Sequence, residues 1–161
     1  MIQDPLSRLI NDLTELDRTI EQKVKDSSPE ELLSIGRKFM DDSEYSEAKI
    51  IFKKLYKTGG IFMKEISSLY DFLIYSLTKR IPDNIIIEGV IRCMATATEM
   101  HAEKTLPKED LFTIDTLIDR VVSEDILIPH REEFEGLYYK FKEYTIKAFL
   151  EGKNLKCPKT S

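Results

Sequence analysis

Several residues of this chain have side chains that could do chemistry, but their spacing does not fit the chemistry they would do. His101 stands in Thr98-Glu99-Met100-His101-Ala102-Glu103. Helical metal sites place ligands three or four residues apart so that both face one ion. Glu99 and Glu103 are each two residues from His101, so the histidine reads as a helix-end or surface residue. His130 follows Pro129 at the start of a helix, beside Arg131, Glu132 and Glu133. Carboxylates there complement the positive end of the helix dipole, and the histidine again reads as ordinary. Asp115 and Asp119 are four apart on one helical face, with Asp110 upstream. Such a pair could form one side of a magnesium site, but a second acidic pair on a facing helix is required and cannot be assigned. The aspartates therefore read as a solvated acidic face. Cys93 and Cys157 match no metal or redox spacing. Cys93 lies among apolar residues and is expected to be a small buried hydrophobe. No catalytic, cofactor-binding or metal-ligating residue is assigned, and the chain is read as non-enzymatic and without a cofactor.

The elements that must position these residues are helical. The chain has 161 residues, 42% hydrophobic and 33% charged, without tryptophan and with six glycines and six prolines, a profile of a globular, helix-rich protein. Its length suits a single all-α domain over residues 1–151, followed by a disordered tail over 152–161. The net charge of −5 argues against nucleic-acid binding, which needs a basic footprint. A local excess of lysine after Leu137, six against two glutamates, reads as a solvated tail. No signal peptide and no stretch long enough to span a membrane is read, so a cytoplasmic location is expected, in keeping with two unpatterned cysteines.

Seven helices are expected. Asp4-Pro5 starts the first, and Leu6, Leu9, Leu13, Leu16 and Ile20 form a heptad-like seam that packs on the domain itself or, alternatively, on a second copy through residues 5–24. Ser28-Pro29-Glu30-Glu31 is a capping box that opens the second helix, ending near Asp42. The third runs from Glu44 to Gly59-Gly60, a double glycine suited to a left-handed cap. The fourth spans Ile61 to Arg80, with Ile66, Leu69, Leu73 and Leu77 on one stripe. The fifth is capped by Asp83 and carries Ile86, Val90, Met94 and Ala97. The sixth opens at Thr105 or Pro107 and carries Leu111, Ile114, Leu117, Ile118 and Val121. The seventh opens at Pro129, carries Phe134, Leu137, Tyr138, Phe141 and Ala148, and ends at Gly152. The later helices are expected to pair, fourth with fifth and sixth with seventh. Tyr139 falls off its helix's apolar stripe and is expected to be exposed.

The stretch from Pro29 to Phe62 resembles one tetratricopeptide repeat, a helix-turn-helix unit of about 34 residues. Leu32 and Ile35 hold large apolar positions of the first helix, Gly36 a small one, and Phe39 the aromatic one. Tyr45 stands past the turn, Ala48 at the second close-contact position and Phe52 on the outward stacking face. A side chain at Gly36 or Ala48 would wedge the helices apart, and a mid-helix glycine costs about 1 kcal/mol, usually offset by packing. Ser43, Leu55 and Gly60 depart from the pattern, standing where turn glycine, a small residue and proline are usual. The rest of the chain does not repeat it.

The second half also resembles HEPN-type helical proteins of prokaryotes, many of them ribonucleases in toxin systems. Their motif is an arginine followed four to six residues later by histidine. Here Arg92 precedes His101 by nine positions and Arg120 precedes His130 by ten, so an active nuclease is not expected. The repeat resemblance implies an adaptor or chaperone-like module that binds a peptide or partner helix. Its concave side would present the first helix of each unit. Arg37 and Lys38, off the stripe of Leu32, Ile35 and Phe39, and Lys64, Ser68 and Asp71, off the stripe of Ile66, Leu69 and Leu73, are the candidate partner-binding residues. That lining would suit a segment of acidic character.

Overall fold

The computed structural model describes residues 18–122 and 126–152. Among them the fold is all-α, with seven helices and no strand: α1 (residues 18–23), α2 (Pro29–Asp41), α3 (Tyr45–Thr58), α4 (Ile61–Thr78), α5 (Asp83–Ala102), α6 (Lys108–Val121) and α7 (Arg131–Gly152). Most of the heptad-like seam, Cys157 and nearly all of the expected tail lie outside the described residues. Two compact units are distinguished, Met1–Asp71 and Phe72–Ser161, with the boundary inside α4.

In the first unit, Ser28 caps α2 as expected: its Oγ accepts from the Glu31 amide at 3.2 Å, with Pro29 opening the helix. The turn to α3 is a Schellman motif. The Glu44 amide donates to the Phe39 carbonyl at 2.8 Å and the Ser43 amide to that of Met40 at 3.1 Å. Ser43 itself takes φ 60, the left-handed conformation that glycine adopts most easily. The double glycine after α3 behaves otherwise. Gly59 is extended, at φ −85 and ψ 168, so the left-handed cap expected there is not formed. A side chain is excluded by crowding instead, since a Cβ would come within 2.5 Å of the Met63 Cβ and 2.8 Å of the Leu55 carbonyl.

The buried face of α2 is Leu32, Leu33, Gly36 and Met40. Ile35 and Phe39, expected on the apolar stripe, are only half-buried, because Leu33 and Met40 rotate the buried arc away from them. Gly36 does allow a close approach, but the group it accommodates is the Phe52 ring. A Cβ at Gly36 would lie 2.7 Å from the Phe52 Cζ. Phe52, fully buried, in turn stacks on Tyr70 of α4, with ring centroids 4.4 Å apart and planes 11° from parallel. Ala48, Ile51 and Leu55 complete the buried face of α3, and Ile20 and Val24 are buried at the end of α1.

In the second unit, α6 is the central element. Leu111, Ile114, Leu117 and Ile118 are all almost wholly excluded from solvent, and α5 and α7 both pack on α6 and on each other. Residue pairings show that α6 and α7 are antiparallel, Asp115 meeting Lys142 and Asp119 meeting Tyr138. By contrast, α5 and α7 run parallel: Ile87 and Ile91 lie beside Phe134 and Leu137, and His101 beside Tyr144. Gly89 of α5 seats the Phe72 ring, which a Cβ would approach to 2.1 Å.

Of three helix starts, α6 opens at the second of its two expected positions, and α5 and α7 differ from the sequence reading. Pro107 stands at the N-cap of α6, while the Thr105 Oγ1 donates back to the Met100 carbonyl. Asp83 does not cap α5 but is its first residue, and its Oδ2 accepts from the Leu127 amide at 2.9 Å. Pro129 precedes α7 by two residues, with His130 between them at φ 49.

α5 closes with a second Schellman motif. The Thr105 amide donates to Met100 and the Lys104 amide to His101, with exposed Lys104 at φ 64. A left-handed residue with a Cβ carries about 1–2 kcal/mol of strain, partly offset because glycine loses more freedom on folding. Lys104→Gly should therefore stabilise the protein by about 0.5–1 kcal/mol. Denaturant titration of wild type and variant checks this, and a destabilised variant would contradict it.

Candidate functional site

The residues expected to bind a partner all lie in the first unit. Arg37 is half-buried on α2, its Nη2 3.5 Å from the Ser34 Oγ, and Lys38 is exposed one position on. On α4, the Lys64 ammonium stands 5.7 Å from the centroid of the Tyr56 ring. The Ser68 hydroxyl donates to the Lys64 carbonyl, which leaves it turned along its own helix. Burial raises the Asp71 carboxyl above its ordinary range, against the pull of Lys49. These contacts tie Lys64 and Asp71 to α3, and they do not by themselves gather the five residues into one lining.

The groove between the parallel α5 and α7 is more continuous. It has two lobes, of about 360 and 340 Å³, that share Ile91 and Leu137. Its floor is apolar: Ile87, Ile91, Met94, Phe134, Leu137 and Phe141. Leu137, expected in the core, is 43% exposed, because it lies on the side of α7 that α6 does not cover. One end of the groove carries Glu88, Glu133 and His130, and the other Glu99, Lys140 and Tyr144. α6 lines neither lobe. Tyr139 and Ile146, at 62% and 58% exposed, extend the apolar character of α7 outside the groove. Tyr139 is thus exposed as its off-stripe position implied.

At the far end Tyr144 is bonded to His101 of α5, which does not itself line the groove. The His101 Nδ1 is 2.7 Å from the Tyr144 hydroxyl, with the rings edge to face at 5.5 Å. Sequence spacing within one helix could not show this pair, since its members are 43 residues apart. His130 is exposed, and Cys93 is buried, its thiol pushed up to about 12 by burial.

The three aspartates of α6 are not a uniform solvated face. Asp110 is fully buried. Asp115 and Asp119 share Lys142 of α7, whose Nζ lies 2.8 Å from the Asp115 Oδ1 and 2.5 Å from the Asp119 Oδ2. The Tyr138 hydroxyl donates to the other oxygen of Asp119, and Lys142 lies 5.2 Å from the Tyr138 ring centroid. A lysine between two carboxylates occupies the place that a divalent cation would need, and this arrangement does not suit magnesium. Among the described residues no group of three histidine, cysteine, aspartate or glutamate side chains could hold a metal ion, and no helix is long and apolar enough to cross a membrane.

The charges respond to this packing. Burial raises the Asp115 carboxyl despite Lys142 beside it. Burial alone would lower the Lys142 ammonium, but its bonds to Asp115 and Asp119 outweigh this and hold it above its ordinary value. Burial, and then the bond to Asp119, push the Tyr138 hydroxyl up to about 12.

Comparison with family models, with curated proteins and with solved structures finds no significant match for this chain.

Lys142 and Tyr138 both have folded-state values above their ordinary ones. The contribution of Tyr138 to stability is therefore complete below pH 10.0 and is lost as pH rises through about 12, and that of Lys142 is likewise lost only on the alkaline side of its ordinary value. Wild type should lose denaturation midpoint across that window, and Tyr138→Phe should lose less. Identical pH profiles would show that the cluster is not coupled to folding. Lys142→Met, which leaves half-buried Asp115 without its cation, should cost about 1–2 kcal/mol near neutral pH, between the values for exposed and buried pairs.

Proposed function

We propose that this protein is a non-enzymatic interaction module, adaptor or chaperone-like, that binds an amphipathic helix of a protein partner in the α5–α7 groove. The observation that carries this reading is the continuous apolar floor from Ile87 to Phe141 between two helices of the same direction. From Asn84 to Glu99 the α5 wall extends for about 22 Å at 1.5 Å per residue, enough for four turns of a docked helix. Such grooves bind apolar side chains at i, i+3, i+4 and i+7. Because α5 and α7 start at the same end, their dipoles add, and an antiparallel guest is favoured. Its basic residues would meet Glu88 and Glu133, with an acidic one at Lys140. α6 already holds the corresponding antiparallel position on the other side of the pair.

The α2–α3 hairpin supports the repeat-like reading through its seated Phe52 and its left-handed turn residue, Ser43. As a tetratricopeptide-like unit, it would add a second surface on which Arg37, Lys38, Lys64, Ser68 and Asp71 meet a segment of acidic character. A cytoplasmic setting suits both surfaces.

A photo-crosslinking residue at Leu137, expressed in the native cell, should capture a partner peptide with the amphipathic spacing described. The same residue at exposed Thr116 of α6 should not capture it. Leu137→Glu in the purified protein should weaken binding of that peptide by about tenfold or more, or 1.4 kcal/mol. Capture of segments lacking that pattern, or undiminished binding by Leu137→Glu, would overturn the reading.

A further inference from the structure

A second cavity lies in the first unit, lined by none of the residues given a role above. It is a cleft of about 670 Å³ between the end of α1 and the outer face of α3. Its described lining contains five cations, Arg18, Lys25, Lys53, Lys54 and Lys57, against one carboxylate, Glu21. This concentration stands out in a chain of net charge −5. Like charges brought this close repel one another, and an anion that screens them stabilises the fold. Lys54 is half-buried and held in place, its Nζ donating to the Val24 carbonyl at 3.1 Å. The other four cations are exposed at the mouth.

We propose that this cleft binds a small polyphosphate. Its volume falls within the ordinary range for small-ligand sites. Four of the five cations are lysines, which act as compact, rotatable charge donors to phosphate oxygens. The described lining contains no aromatic ring, so it offers no platform on which a base could stack, and recognition falls on the phosphates alone. An acidic peptide places its carboxylates at intervals of about 3.3 Å or more per residue along an extended chain. A polyphosphate delivers several charges inside one cleft, which matches cations gathered from two helices. A duplex would instead need a long basic stripe.

Isothermal titration of the full chain with inorganic tripolyphosphate, inositol hexakisphosphate, hexaglutamate and a short DNA duplex tests this. Tripolyphosphate or inositol hexakisphosphate should bind one to one and raise Tm, and affinity should fall steeply between about 50 and 200 mM salt. Tighter binding of the first points to a linear phosphate chain as the natural source, and of the second to a phosphorylated ring. Lys53→Gln with Lys57→Gln should weaken the binding by about tenfold or more. Lys79→Gln with Lys108→Gln, which removes the same charge in the second unit, should leave it unchanged. Equal loss in both double variants, no binding of either phosphate by a folded wild type, or tighter binding of hexaglutamate or DNA would overturn the proposal.

Discussion

Two mid-helix glycines, each holding a phenyl ring from a neighbouring helix, set the packing in both units. Gly36 receives Phe52, and Gly89 receives Phe72. An alanine methyl at either position would fall well inside van der Waals contact of the ring, at 2.7 and 2.1 Å. Interhelical distance follows the size of the side chains at the contact, so these vacancies admit the tip of a large aromatic ring where helices would otherwise be held apart. In the first unit the consequence passes further, because the seated Phe52 stacks a face on Tyr70. The helix propensity lost at Gly36, about 1 kcal/mol, is offset by full burial of the Phe52 ring, worth about 1.5–3 kcal/mol.

In the second unit the resulting arrangement has a direct bearing on function. With Phe72 seated on one side of α5 and the wholly buried stripe of α6 on another, α7 completes the packing by lying parallel to α5. Lys142, between Asp115 and Asp119, sets its register against α6. The apolar residues of α7 that α6 does not cover, Leu137 foremost, then face the groove. Electrostatics and packing divide the helix between them, with the charged cluster on the α6 side and the open apolar floor on the α5 side. The first unit has the opposite character, with an apolar interior and lysines concentrated on the outer face of α3.

Much of this organisation is legible from local sequence. The Ser28 cap, the α6 stripe from Leu111 to Val121 and the requirement for a small residue at Gly36 follow from rules acting within one or two turns. What escaped the sequence reading depends on partners distant in the chain. Nothing near Lys142 reveals that it will stand between two aspartates of another helix, and His101 meets Tyr144 in the same way. Gly89 could have been noticed, since a glycine within Ile87-Glu88-Gly89-Val90 has the same cost as Gly36 and calls for the same packing reason. Phe39 and Leu137 were misplaced because periodicity identifies an apolar face but not how much of it a neighbour covers. The left-handed cap was expected at Gly59 on residue type, whereas hydrogen-bond geometry places such caps at Ser43 and Lys104.

The most direct test is a double-mutant cycle on the Gly89–Phe72 seat, where the ring is only half-buried and its removal should leave a folded protein. Gly89→Ala should destabilise the wild type by about 1–3 kcal/mol through overpacking. In the Phe72→Ala background the same substitution should be neutral or stabilise by up to about 1 kcal/mol, as helix propensity alone dictates. A coupling energy above about 1.5 kcal/mol would establish the seat. Additivity to within about 0.5 kcal/mol would show that the ring does not need the glycine.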